Sequence, residues 1–269
     1  QAIEVVVRLV RMLRKVYKVT KPSHVVIAWD KGKSWRHHLH IPYKAHRPPK
    51  PERLQEQWKP SRELMDALNI THIEVEGFEA DDIMATTTSR AWRGEGCEVV
   101  LVTSDKDMMQ LVNDADDISA YDAMKGKHLK EADVLKKYGA TGEGLRAILA
   151  LSGDAVDGIS GVKGIGFKRA RGIVKRFETW KAIVDAAGGI RGEAGKALRA
   201  ARGSGDLDLY WRLVGLSLDV PMPVDLDACQ VYKPDYAHLL DLYGRLHMRS
   251  EHRRLSDRLG VSHSRRSAR

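Results

Sequence analysis

Cysteine is scarce in this sequence: Cys97 and Cys229 are the only two. Two thiols so placed offer neither a disulfide framework nor a zinc-binding spacing, and they fit a reducing, cytoplasmic setting. No apolar run reaches the roughly 18 residues that a membrane-spanning helix needs. No secretory leader is visible. The stretch AIEVVVRLVRMLRKVYKV reads as a basic amphipathic helix in preference to a targeting peptide. No internal repeat is present. A disulfide scaffold, a helical membrane protein and a solenoid are thereby excluded.

What is present is positive charge. The 269 residues carry a net charge of +9 and a pI near 9.5, with 43% hydrophobic residues. That length supports one or two domains with a sizeable core. The charge speaks to partners, and nucleic acid is the leading candidate. Ordinary surface lysine and arginine is the plainer alternative.

Short apolar runs mark strands at Val25 to Trp29 (VVIAW), Thr71 to Glu76 (THIEVE), Glu98 to Thr103 (EVVLVT) and Ile118 to Tyr121. Helices separate them, one from Glu79 to Trp92, so residues 1–130 read as an α/β core with a parallel sheet. After Lys130 helices dominate, at about 131–138, 143–151, 166–176 and 178–187. Residues 131–200 form a helical region, 201–248 a mixed C-terminal part packing back on the core, and 249–269 a basic, fraying tail. A Pro/Asp-rich passage at 219–227 reads as a loop.

The segment from Lys31 to Lys59 holds Lys31, Lys33, Arg36, His37, His38, His40, Lys44, His46, Arg47, Lys50 and Arg53, interleaved with Trp35, Tyr43 and Trp58. A basic excursion of this kind after a buried strand suits a single nucleic-acid strand. A solvated loop with chance charge is the alternative.

Acids gather where the strands end. Asp30 follows VVIAW; Glu79, Asp81 and Asp82 open the helix after THIEVE; Asp105 and Asp107 follow EVVLVTS. Functional groups collect at the carboxyl ends of strands in open α/β sheets, so these acids are expected to meet. Glu79 and Asp82 would share a helix face, as would Asp154 and Asp157. Taken singly, each acid reads as a cap or turn former. Converging together, they would repel one another without cations, and hard divalent ions such as Mg²⁺ resolve that repulsion. Two ions about 4 Å apart can activate a water and stabilise a leaving oxygen in phosphodiester hydrolysis.

Gly161-Val-Lys-Gly-Ile-Gly166 resembles a dinucleotide fingerprint in spelling only, because its lead-in LSGDAVDGIS is no strand. It reads as a tight turn between helices, with backbone amides open to phosphate and Lys168, Arg169 and Arg171 just inside the second helix. A plain helix–helix turn is the alternative.

In order, WDKGKSWRHHLHIPYKAHR, EGFEADD, VTSDKDMMQL and LSGDAVDGISGVKGIGFKRA resemble the structure-specific 5′ nucleases. That family includes bacteriophage 5′-3′ exonucleases, the 5′-nuclease domain of bacterial DNA polymerase I and flap endonucleases. The resemblance covers about residues 3–190. It implies a PIN-like parallel sheet flanked by helices, with a helix-hairpin-helix (H3TH) subdomain. It implies a first metal site served by Asp30, Glu79, Asp81 and Asp105 with Asp82 in support, and a second served by Asp107, Asp154 and Asp157, with Asp105 near both. Lys44 and Arg47 would steer the scissile phosphate from the base of a helical arch spanning about 31–59, and Asp105 joins them as a catalytic candidate. Lys33, Arg36, Lys44 and Arg47 would meet the strand; Gly161, Lys163, Gly164, Gly166, Lys168 and Arg169 would hold the duplex. The implied cofactors are two Mg²⁺ or Mn²⁺ ions, with K⁺ at the hairpin.

The implied activity is hydrolysis of branched, flapped or nicked DNA, or of an RNA primer, by a monomer in a bacterial or bacteriophage setting, serving replication and repair. The family's first strand carries an aspartate and a basic residue that QAIEVVVRLVRML does not supply. The expectation is that this strand precedes Gln1. A non-catalytic binder of DNA junctions is the rival reading, and a ribonuclease on a related scaffold, lacking the glycine hairpin, is a third.

Overall fold

A computed structural model describes residues 3–91, 96–223 and 225–261. The chain divides into two compact units that do not follow sequence order: Gln1–Ile27, Pro49–Ile73 and Pro223–Arg269 form one, and Ala28–Pro48 with Glu74–Met222 form the other.

In the first unit, α1 (Glu4–Thr20) is the expected amphipathic helix. Val6, Val10, Leu13 and Val16 recur every three or four residues, which puts them on one buried face. α4 (Trp58–Ala67), α12 (Tyr236–Arg245) and α13 (Arg249–Leu259) bury matching faces around Leu64, Met65, Leu239, Leu242 and Leu255. β1 (Val26–Ala28), of which Val26 and Ile27 fall in this unit, pairs with β2 (Thr71–Ile73) in a two-stranded sheet. The basic stretch expected to fray from 249 is instead helical through Leu259, because Leu255 and Ser256 give it a side to bury; residues 262–269 lie outside the described residues.

In the second unit, β3 (Val99–Leu101) pairs in parallel with β4 (Ile118–Asp122) in the register Val99 opposite Ile118. β5 (Lys127–Leu129) adds an antiparallel edge that the sequence pattern did not announce. The strands are shorter than the apolar runs suggest, since only the pairing residues qualify. α5 (Ala80–Arg90) follows Glu79, and Trp92 of the expected helix lies outside the described residues. α6 (Glu131–Tyr138), α7 (Gly142–Ser152), α8 (Phe167–Phe177) and α9 (Trp180–Ala186) fall where the pattern put them. α10 (Gly192–Ser204) and α11 (Asp206–Val214) continue the helical layer. Leu145, Ile148, Leu149 and Leu151 make α7 its centre, buried on nearly every side. Residues 31–59, expected to form an arch, comprise the one-turn helix α2 (Trp35–Leu39), turns at 41–46, the short α3 (Glu52–Gln55) and the start of α4.

Candidate metal and phosphate site

The acids from four separate chain segments meet in the second unit. A cleft of about 220 Å³ is lined by Asp30, Glu79, Asp81, Asp105, Asp107, Asp154 and Asp157, with Arg36, Tyr43, Lys44 and Arg47 among them.

Each segment has a local reason for its shape. Glu79 is the N-cap of α5 and forms a reciprocal capping box with Asp82. Asp30 accepts the Ala80 N–H at 2.9 Å and so anchors the same helix start. Asp105 accepts the Asp107 N–H at 2.9 Å, which sets the 3₁₀ turn after β3. Asp154 and Asp157 share a 3₁₀ turn with Asp154 as its cap, where a full helix would have placed them one turn apart. The plain reading of these acids as caps is therefore true, and it does not compete with their convergence.

Oxygens of Asp107, Asp154 and Asp157 lie within 4.8 Å of one another, the one such group among the described residues. Asp107 is pushed up to about 7 by burial and then by Asp105. Asp81 is likewise pushed up to about 7 by burial, then by Asp105, Glu79 and Asp30. These carboxylates are close and half-buried, and the seven acids of the cleft outnumber the cations beside them. An all-oxygen donor set of this kind fits a hard divalent cation. Asp154 differs: burial raises it, but a Lys106 Nζ at 2.6 Å and backbone N–H donors outweigh that and hold it below its ordinary value.

The cations are tied to the acids. Lys44 Nζ donates to Glu79 at 2.6 Å and lies 3.9 Å from Asp157. Its backbone is left-handed at φ 53°, and its N–H donates to the Asp157 carbonyl at 2.9 Å. A lysine held in that conformation is a strained position of the sort found at functional sites. Arg47 donates to the Asp157 carboxylate. Tyr43 is buried and donates to Glu79 at 2.9 Å; burial, then Glu79, pushes its phenol far up, so the hydroxyl keeps its proton.

Two expected site residues have other work. Arg36 is 3% exposed, donates to both oxygens of Asp82 at 2.7 and 2.8 Å and to the Leu213 and Gly215 carbonyls at 2.9 and 2.6 Å. Its donors are thus turned to the core rather than outward. Asp82 is fully buried and further accepts from the Ser217 N–H, so it supports Glu79 and does not face the cleft. Lys33 is exposed. Sequence reasoning missed Lys106 and Tyr43 as partners of the acids. For Lys106 the one available signal was its place between Asp105 and Asp107.

The glycine hairpin is built onto the same helix end. Val162 N–H donates to the Leu151 carbonyl at 2.8 Å, and Asp154 exchanges two 2.8 Å hydrogen bonds with Ile159. A Cβ at Gly161 would lie 2.3 Å from the Gly153 nitrogen, so only glycine allows the chain to pass there. Val162 and Ile165 are buried, while Lys163, Gly164, Gly166, Lys168 and Arg169 are exposed. Gly166 caps α8, whose N-terminus thus opens outward. A larger hollow of about 500 Å³ lies among α5, α6 and α7. Its Glu131 and Glu143 accept from Thr141 and the Trp180 N–H, so they serve local structure.

The family model for a 5′-3′ exonuclease N-terminal resolvase-like domain matches residues 1–139, and that for a 5′-3′ exonuclease C-terminal SAM fold matches residues 140–237. DNA polymerase I of Rhizobium leguminosarum is 36% identical over 225 residues, covering 82% of this chain and 22% of the polymerase. That of Mycobacterium bovis is 32% identical over 257 residues, covering 93% and 28%. The chain therefore spans between a fifth and a third of the length of these curated relatives. In three dimensions it is similar to a bacteriophage T5 flap endonuclease solved with DNA and metal ions, at TM-score 0.66 and 20% identity, over 94% of this chain and 89% of that one. The catalytic core of Rad2 with DNA substrate is similar at TM-score 0.57 and 15% identity, over 92% and 82%. At these identities the likeness establishes the fold: a resolvase-like part with a small parallel sheet flanked by helices, and a SAM-like helical part.

Proposed function

Because this chain belongs to the 5′-3′ exonuclease family, we propose that it is a divalent-metal-dependent nuclease that hydrolyses DNA phosphodiesters at 5′ ends or 5′ flaps. The observation that carries the reading is the convergence of seven carboxylates on one cleft, Asp30, Glu79, Asp81, Asp105, Asp107, Asp154 and Asp157, with Lys44 and Arg47 beside them.

In this reading Asp107, Asp154 and Asp157 hold one ion, Asp30, Glu79 and Asp81 the other, and Asp105 stands near both. Mg²⁺ or Mn²⁺ bound there supplies an activated water and stabilises the leaving oxygen. The rest falls to the chain itself. Glu79 and Asp157 now take the charge of Lys44 and Arg47. Released from those carboxylates, Lys44 and Arg47 would turn their donors to the scissile phosphate and fix it over the acids. Tyr43 and Asp82 hold Glu79 in place. The hairpin amides with Lys163, Lys168 and Arg169 grip the duplex phosphates, with K⁺ as a further charge at that turn. The shared anchorage of hairpin and acids on the end of α7 makes that grip a ruler.

The test is cleavage of a labelled 5′-flap duplex by this chain in Mg²⁺ and in EDTA. Cutting in Mg²⁺ alone supports the reading. Tight binding of the flap with no cutting in either would leave a DNA-junction binder in its place. Lys44→Ala is expected to slow cleavage by roughly 10–100-fold, in the range for a supporting polar contact, with the fold intact by circular dichroism.

A further inference from the structure

The cleft and hairpin use the cations of the second unit, and the first unit carries a separate set. α1 exposes Arg8, Arg11, Lys15 and Lys18 on the side opposite its buried valines. α13 lies beyond residue 237, where the family match ends. It exposes Arg249, Arg253, Arg254 and Arg258. Against these eight cations the two helices expose Glu4, already paired with Arg53, and Asp257.

Arg14 of α1 pairs with the buried Glu251 of α13. Helical spacing then says which cations flank that junction. Arg11 and Lys18 stand three before and four after Arg14, on the same rim of α1. Arg254 and Arg258 stand three and seven after Glu251, on the same rim of α13. The ion pair therefore joins two helices that each carry a cationic rim. Arg11, Lys18, Arg254 and Arg258 have no acidic partner among the described residues. A solvated helix face ordinarily alternates the signs of its charges, and this one does not. A lipid-binding face would interleave bulky apolar side chains with the cations. Here the exposed large apolar residues are Val19 and Leu259, one at the end of each helix.

We propose that the α1–α13 face is a second phosphate-binding surface that engages a duplex arm of the nucleic-acid substrate. It rests on the reading that this chain acts on DNA. It adds a contact surface that the hairpin does not provide.

The experiment measures affinity of the full chain for a 5′-flap duplex across a salt series, with cleavage in Mg²⁺ followed alongside. The comparison is a variant carrying Arg11→Gln, Lys18→Gln, Arg254→Gln and Arg258→Gln. Affinity is expected to fall about tenfold or more, and the salt slope to shrink by roughly 2–4, since each phosphate contact contributes about 0.9. A variant carrying Arg11→Lys, Arg254→Lys and Arg258→Lys should keep the slope, because lysine meets phosphate as a point charge. If the fourfold variant does not melt cooperatively, the pairs Arg11→Gln with Lys18→Gln and Arg254→Gln with Arg258→Gln are measured separately. Each should then take about half of the slope change. Unchanged affinity and slope overturn the proposal. So does intact DNA binding with lost affinity for phosphatidylserine vesicles, which assigns the face to lipid. Cleavage by the parent chain keeps the two readings apart. Cutting with an unchanged slope removes this surface and leaves the nuclease. Binding with a reduced slope but no cutting keeps the surface and removes the nuclease.

Discussion

The acidic cleft and the glycine hairpin grow from the same end of α7, but they are held by opposite means. The cleft is shaped by charges: carboxylates that repel one another, restrained by Arg36, Lys44, Arg47 and Lys106. The hairpin is shaped by backbone and packing: Gly161 crossing Gly153, with Val162 and Ile165 buried beneath. Its cations point outward, bonded to little. A site held by charge responds to pH and to ions, whereas one held by close packing does not. That difference suits a catalytic centre that must exchange ions and a grip that must stay rigid.

The sharpest way to separate the two regions is Asp105→Asn. It removes charge from the middle of the cleft and leaves the hairpin untouched. Cleavage of the flap should fall by more than about 100-fold, beyond the range for outer partners, with affinity within about twofold. Wild-type rates in that variant would sink the metal assignment.

Arg36→Met tests whether the cleft rests on its buried ion pair. It leaves the Asp82 carboxylate buried without its cation, and should cost about 3–5 kcal/mol in urea unfolding. Adding Asp82→Leu should recover much of that loss, since a buried pair replaced by apolar groups is often neutral. No recovery would mean that the pair matters for more than its charge.

Within the hairpin, two glycines should behave differently. Gly161→Val meets the Gly153 backbone and carries a φ of +66°, so it should destabilise by about 1–3 kcal/mol or more. Gly164→Val has only Arg169 Nη1 at 3.9 Å nearby, at a φ of +75°. It should cost about 1–2 kcal/mol, weaken duplex binding and spare metal binding. Equal effects at the two positions would remove the distinction between packed and open hairpin residues.

The remaining prediction concerns pH and needs no substitution. Asp81 and Asp107 rise from 3.8 to about 7 in the folded protein. A carboxyl raised on folding stabilises at low pH and loses that contribution as pH climbs from its unfolded to its folded value. Metal-free protein in EDTA should therefore melt at progressively lower temperature between about pH 4 and pH 7, and level off above. Mg²⁺ should raise the melting temperature more at pH 8 than at about pH 5, because it binds the ionised carboxylates. The same pH profile with and without Mg²⁺ would detach these two acids from any metal site.

Much of this was legible beforehand. α6, α7 and α8 stand where apolar periodicity and glycine punctuation put them, because such signals are local. The convergence of acids followed from the rule that strand ends gather. β5 was not legible, since Lys127–Leu129 has no apolar run and is a strand only by pairing with β4. The inward turn of Arg36 was not legible for a similar reason. A basic segment looks uniform in one dimension, and nothing in WRHH says that its arginine turns inward.

The sequence by itself determined the residue chemistry: which side chains carry negative charge, where glycine permits a left-handed turn, and which helices have a face to bury. Those properties belong to single residues and their near neighbours. Only the tertiary structure decided pairing: Arg36 with Asp82, Lys106 with Asp154, and Arg14 with Glu251. Coulomb attraction and burial depend on distances between residues far apart in the chain, and folding sets those distances.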